Sequence, residues 1–188
     1  TPMLAVSGVP HEQVSRLVAR TSQELGLGAG LAVVIVNSPR ACVVAGPPNA
    51  LVVLGEHIAK VSAADSQGGQ ARVPFSKRKW AADTAFLRVS APFHSSLLAA
   101  ACPQIEADAA RLGFALEASD LGFAVNSTKD GSDLRALAAG TLVPTLVALQ
   151  TTEAVAWPAA VAELHGATHV LDFGPGGKGL GSAAKFTA

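Results

Sequence analysis

Nowhere in these 188 residues does a serine stand in the Gly-x-Ser-x-Gly order that a strained strand-to-helix nucleophile elbow requires. Ser7 is followed by Gly8 but has Ala5 two residues before it, and Ser182 follows Gly181 with Leu180 in place of the first glycine. The two cysteines do not fill the gap. Cys42 lies in the apolar run Ala41–Ala45 and Cys102 directly before Pro103, surroundings in which a free cysteine behaves as a small inert hydrophobe. An excess of either charge is also lacking. Lys+Arg and Asp+Glu each count 14, which excludes the basic footprint of a nucleic-acid or anionic-membrane binder and leaves only local sites for small anions. No apolar run is long enough to cross a bilayer, and no signal-peptide pattern opens the chain. With so few cysteines, the expectation is a reducing, cytoplasmic setting. The first residues, Thr1-Pro2-Met3, read as the middle of something longer, in keeping with the missing elbow.

What is present suits a globular chain: 49% of residues are hydrophobic and 15% charged, enough to bury a core as one domain or two small subdomains. Met3 to Gly8 reads as a short apolar strand. From His11 to Leu25, Val14, Leu17, Val18 and Leu25 recur at helical spacing up to a glycine-rich stop at Gly26–Gly30. Strands follow at Leu31–Asn37 and Arg40–Gly46, joined by Ser38-Pro39 as a hairpin. Pro47-Pro48-Asn49 introduces a helix from Ala50 to Val61, which ends in the polar loop Ser62–Gln70. The alternating run up to Phe86–Ser90 gives the last strand. This βαββαβ order predicts a ferredoxin-like unit over residues 3–90, with one four-stranded antiparallel sheet and two helices on one face.

The remainder, 91–188, alternates helix and strand as a layered α/β piece. The pattern predicts one helix over Ser95–Leu112 broken near Pro103, a strand at Phe123–Asn126, and helices at Asp133–Ala139, Leu142–Gln150 and Trp157–Leu164. A strand at Thr168–Phe173 follows, and then the glycine-rich Gly174–Gly181. Gly174, Gly176 and Gly179 match G-x-G-x-x-G after a strand. Too little chain follows to complete a βαβ unit, however, and no acidic residue stands about 20 positions on. Lys178 precedes Gly179 and not Ser or Thr, so this is not a P-loop either. Glycines that let a strand end pass close to its neighbours account for the segment.

The residue type with the most chemical promise is a histidine. Ala91-Pro92-Phe93-His94-Ser95 delivers His94 to the end of an apolar strand, in a turn where Pro92 stops the ladder. A neutral imidazole there can take a proton at physiological pH. The competing reading is a capping or core histidine, because the chain offers no nucleophile beside it.

Five blocks carry a family resemblance: Asn37–Pro48, Arg72–Lys79, Ala91–Ser95, Asp130–Arg135 and Leu171–Gly177. In that order, over nearly the whole chain, they resemble the C-terminal portion of the acetyltransferase (starter acyl-loading) domain of type I fatty acid synthases. Both the fungal β subunit and the single-chain actinobacterial enzymes have such a domain. The resemblance implies a mixed α/β (α+β) fold, in which the ferredoxin-like subdomain is followed by part of an α/β-hydrolase-like acyltransferase subdomain. It implies ping-pong transfer of an acetyl group from acetyl-CoA to the phosphopantetheine of an acyl carrier protein. The serine elbow, its oxyanion donors and the arginine that separates malonyl from acetyl transferases would all precede Thr1.

By the same resemblance His94 is the catalytic base. Gln150, four residues before Ala154-Val155-Ala156-Trp157 where relatives read Pro-Val-x-Trp, would hold the imidazole through its backbone carbonyl, a role that replaces an Asp. Asn37, Phe93 and Asn126 would line the acyl or pantetheine channel, although Asn37 could equally bond its own Ser-Pro turn. No metal or resident cofactor is implied. The implied partners are the carrier protein and the rest of the synthase, with no nucleic acid and no membrane. Two alternatives stay open. One is the malonyl/palmitoyl transferase domain of the same synthases, which shares the Pro-Phe-His-Ser turn, and the other is a catalytically inert structural piece.

Overall fold

The protein was analysed as a computed structural model, which describes residues 1–67, 81–138, 140–162, 168, 169 and 171. The expected strand at Thr168–Phe173, the glycine-rich segment after it, the Arg72–Lys79 block and His165 lie wholly or largely outside the described residues. The chain divides into two compact units, Thr1–Val34 with Pro39–Phe93 and Ile35–Ser38 with His94–Ala188.

The first unit follows the βαββαβ order. Strand β1 is Met3–Ser7, helix α1 His11–Leu25, β2 Ala32–Ser38, β3 Ala41–Ala45, α2 Pro48–Gln67 and β4 Asp83–Phe86. β1 pairs antiparallel with both β3 and β4, and the sheet order β4-β1-β3-β2 is the ferredoxin-like one. Register explains why both helices share a face. Leu4 stands opposite Val44 and Val6 opposite Cys42, so these four side chains project to one side, as residues two apart on a strand do. They meet Val14 and Val18 of α1 and Leu51, Leu54 and Ile58 of α2 in a single buried cluster. Where the helices touch, the Thr21 hydroxyl lies 2.9 Å from Nδ1 of His57. α1 stops because Gly26 adopts the left-handed conformation at φ 65°, and the Leu27 N–H turns back to Ser22 O at 2.9 Å, the closure of a Schellman turn.

Two of the expected elements move by more than a residue. α2 begins at Pro48, where proline suits the first helical turn, and runs to Gln67 instead of ending at Val61. β4 is Asp83–Phe86, not Phe86–Ser90, because β1 supplies partners only from Ser7 to Leu4 for Asp83 to Phe86, after which Leu87 N closes the ladder on Met3 O at 3.0 Å. β4 is exposed along its length, an edge strand and not the half-buried one that its apolar–polar alternation predicts. The sheet also has a fifth strand, β5 at Val155–Ala156, parallel to β2 with Ile35 opposite Val155 and Val36 opposite Ala156. Parallel pairing needs a long connection, here everything between the two strands.

The second unit is built on short helices: a 3₁₀ run Ser96–Ala101, α3 Cys102–Arg111, α4 Val143–Thr151 and the single turn α5 Trp157–Ala160. α3 packs on α4. The expected break near Pro103 falls at Cys102, with the proline in the first turn of α3. The expected strand at Phe123–Asn126 is reduced to one bridge between Asn126 and Asp133, and the expected helix Asp133–Ala139 to a 3₁₀ turn at Leu134–Ala136. That turn is capped by Asp133, whose carboxylate accepts from the Arg135 N–H. Among the described residues, no helix is long and apolar enough to cross a membrane.

Cys42 is 1% exposed in the centre of the sheet, and burial pushes its thiol up to about 11. At pH 8 roughly one thiol in 10³ is then ionised. Iodoacetamide at that pH should leave Cys42 unmodified in the folded protein and alkylate it once urea unfolds the chain, as read by peptide mass spectrometry. Rapid labelling of the native state would contradict this packing.

Candidate active site

His94 follows β4 in a tight turn and adopts φ 61°, the one left-handed non-glycine residue among those described. Few L-residues accept that conformation, histidine more readily than most, and it costs of order 1–2 kcal/mol unless the surroundings impose it. Here the backbone of α4 supplies the constraint. Nδ1 of His94 lies 3.0 Å from the Leu149 carbonyl and 3.2 Å from the Glu153 carbonyl, and the next residue, Ser95, donates its N–H to the Thr151 carbonyl at 3.0 Å. Carbonyl oxygens only accept, so Nδ1 carries a proton, and in the neutral ring the lone pair then stands on Nε2. That is the tautomer of a general base.

Leu149 is free to accept for a definable reason. At the end of a helix the last carbonyls lose their partners, and here both Thr152 N–H and Glu153 N–H turn to the Ala148 carbonyl, at 2.9 and 2.8 Å. The i+4 donor of Leu149 is thereby diverted. The carbonyls that meet the ring belong to Leu149 and Glu153, and Gln150, expected in that role, is exposed on α4. Successive carbonyls of a helix point about 100° apart, so an error of one residue changes which of them meets the imidazole. The end of α4 is itself pinned by Thr151, 4% exposed. Its hydroxyl donates to Val147 O at 2.6 Å and lies 3.1 Å from Sγ of Cys102.

The other expected site residues are less closely drawn together. Phe93 is half-buried beside His94, and Asn37 is exposed near the end of β2. Asn126 gives its amide N–H to the Ala160 carbonyl at 3.1 Å, which makes it a tie within the second unit. It opens the loop 126–133, which is closed by Ser127 N–H on Ser132 O at 2.8 Å and by Gly131 N–H on Ser127 O at 2.9 Å. At its far end Arg135 donates Nε to Asp133 at 2.8 Å, and this bond holds the Asp133 carboxyl down at about 2.

A family model for the fatty acid synthase central AT domain matches residues 2–74. The fatty acid synthase subunit beta of Saccharomyces cerevisiae is 38% identical over 182 residues, 96% of this chain and 9% of that protein. The chain belongs to the acyltransferase domains of type I fatty acid synthases. It spans about a tenth of the length of the curated relatives that it matches. Among solved structures, the malonyl CoA-acyl carrier protein transacylase of Clostridium perfringens superposes with a TM-score of 0.64 at 20% identity, over 99% of this chain and 49% of that one. A malonyl-transacylase in complex with its type II polyketide acyl-carrier protein gives 0.56 at 20% identity, over 99% and 50%. These two likenesses establish the α/β acyltransferase fold.

In this chain, Gly131 is where loop 126–133 rests against Ala159 of the segment after β5. Its φ is 80°, and a Cβ added there would collide with the backbone carbonyl of Ala159. Gly131→Ala should therefore destabilise the protein by at least ~1–2 kcal/mol, the left-handed penalty alone, read as a lower urea midpoint. An unchanged midpoint would show that the loop does not rest on Ala159.

Proposed function

We propose that the chain supplies the histidine half of a Ser-His acyltransferase site that loads an acetyl starter from acetyl-CoA onto the phosphopantetheine thiol of an acyl carrier protein, in the cytoplasm. The observation that carries this reading is the tautomer of His94, fixed by two backbone carbonyls in a chain of the fatty acid synthase acyltransferase family. In this reading the nucleophilic serine lies outside this chain. Its Oγ attacks the thioester carbonyl while Nε2 of His94 takes the hydroxyl proton, and the proton passes to the departing thiolate of CoA. In the second half-reaction Nε2 takes the proton of the carrier thiol as its sulfur attacks the serine ester, then returns it to the serine oxygen. When the ring is charged, the Leu149 and Glu153 carbonyls stabilise the imidazolium, as a carboxylate does in a Ser-His-Asp triad. Acetyl is preferred over malonyl on the resemblance of the Asp130–Arg135 and Leu171–Gly177 blocks to the starter-loading domain. The carrier protein and the rest of the synthase are the partners, and no resident cofactor or metal takes part.

Two measurements test the proposal. In the complete parent protein, His94→Asn keeps a residue that tolerates φ 61° but removes the base. Acetyl transfer should fall by about 10²- to 10⁴-fold with the thermal midpoint nearly unchanged, and retention of most of the activity would sink the assignment. The chain by itself, incubated with acetyl-CoA, should gain no acetyl mass. A stoichiometric adduct on one of its serines would place the nucleophile here and overturn that part.

A further inference from the structure

Loop 126–133 performs no proton transfer in the mechanism above, yet it grips the segment after α4 at several points. Thr128 O accepts the Ala156 N–H at 2.7 Å, the Asn126 amide reaches Ala160 O, and Nζ of Lys129 meets the Glu153 carboxylate at 2.9 Å. Glu153 is the residue whose backbone carbonyl shares the Nδ1–H of His94. We infer that Lys129 is a positioning residue for His94, holding Glu153 by its carboxylate so that the Glu153 carbonyl stays on the imidazole. The inference rests on the reading of His94 as the general base.

Glu153 lies beyond the last turn of α4, which ends at Thr151, so the regular helix ladder does not fix the direction of its carbonyl. Two bonds do: its own N–H to Ala148 O and the ion pair through its side chain. Lys129 is pre-set for this, since its N–H donates to the Ser127 hydroxyl at 3.2 Å inside a loop that is closed on itself. The partner side chains are 52% and 36% exposed, and a pair that open is worth little to stability. Its contribution is direction, together with neutralisation of an anion carried by a residue that touches the base. The other charge acting on Lys129 is Asp130, the next residue of the loop, and with Glu153 it keeps the ammonium charged above its ordinary range. Without Lys129, the Glu153 carboxylate stands uncompensated on a residue that touches the imidazole, and an uncompensated negative charge favours the imidazolium.

The test uses the complete parent protein and compares wild type, Lys129→Ala, Lys129→Arg and His94→Asn, each measured for acyl transfer from acetyl-CoA across pH and for thermal midpoint. Lys129→Ala should lower kcat on the order of 10-fold, the low end of what losing an outer partner of a ligand histidine costs in metal sites. KM for acetyl-CoA should be unchanged, and the acid limb of the kcat profile should move to higher pH. Lys129→Arg should restore both, and the thermal midpoint should stay at the wild-type value throughout. Unchanged kcat and pH profile in Lys129→Ala, with His94→Asn inactive, would overturn the positioning role alone. A loss of activity matched by a fall in midpoint would reduce Lys129 to a structural tie and overturn it as well. Full activity in His94→Asn would remove the base and the positioning inference together.

Discussion

One hydrogen donor shared between two carbonyls organises the chemistry of this chain. The Nδ1–H of His94, at 3.0 Å from Leu149 O and 3.2 Å from Glu153 O, fixes the tautomer, the ring orientation and the left-handed turn in one contact. Each of these has a cost elsewhere. The φ of 61° is unfavourable for a side chain, and the last turn of α4 must leave a carbonyl free where an i+4 donor would otherwise take it. Both conditions are met by fraying: Thr152 and Glu153 crowd their N–H groups onto Ala148 O, and Leu149 is released to the imidazole. The end of the helix is thus used as an acceptor, as helix termini with orphan groups commonly are.

The first unit shows the opposite economy, in which the described strands pair in regular ladders and the stabilisation comes from one apolar face. Leu4, Val6, Cys42 and Val44 are brought to that face by register alone, and two amphipathic helices cover it. β2 belongs to both economies. Its first residues, Ala32–Val34, fall in the first unit and Ile35–Ser38 in the second, where Ile35 and Val36 pair with β5. A two-residue parallel strand gains little by itself, but it directly precedes Trp157, its Ala156 N–H is held by Thr128 O, and it follows Glu153, the partner of Lys129.

Legibility in the sequence tracked how strongly local pattern and global packing agreed. α1 was readable to its ends because the apolar spacing of Val14, Leu17 and Val18 runs straight into Gly26, whose left-handed cap stops the helix. β4 was displaced because Phe86–Ser90 alternates well, while the choice of paired residues is made by β1, which is distant in sequence. β5 left no trace, since two residues cannot show a period. His94 was visible from its Pro-Phe-His-Ser turn, but its positive φ and the identity of its acceptors were not. Composition says that a helix ends near Thr151; which of its final carbonyls faces a ring 55 residues away is a matter of helix phase.

Orienting an imidazole by backbone carbonyls has a consequence for pH. A carboxylate orienter titrates, so a Ser-His-Asp site depends on a second acid remaining ionised, whereas the Leu149 and Glu153 carbonyls keep their lone pairs at every pH where the fold persists. The protonation state of the site then reduces to His94 and to whatever charge stands on the residues that carry those carbonyls. Leu149 carries none. Glu153 carries one, and the structure answers it with Lys129 at 2.9 Å. Glu153 therefore stands at the site in two ways: its carbonyl fixes the direction of the imidazole without titrating, and its carboxylate is an anion that Lys129 balances.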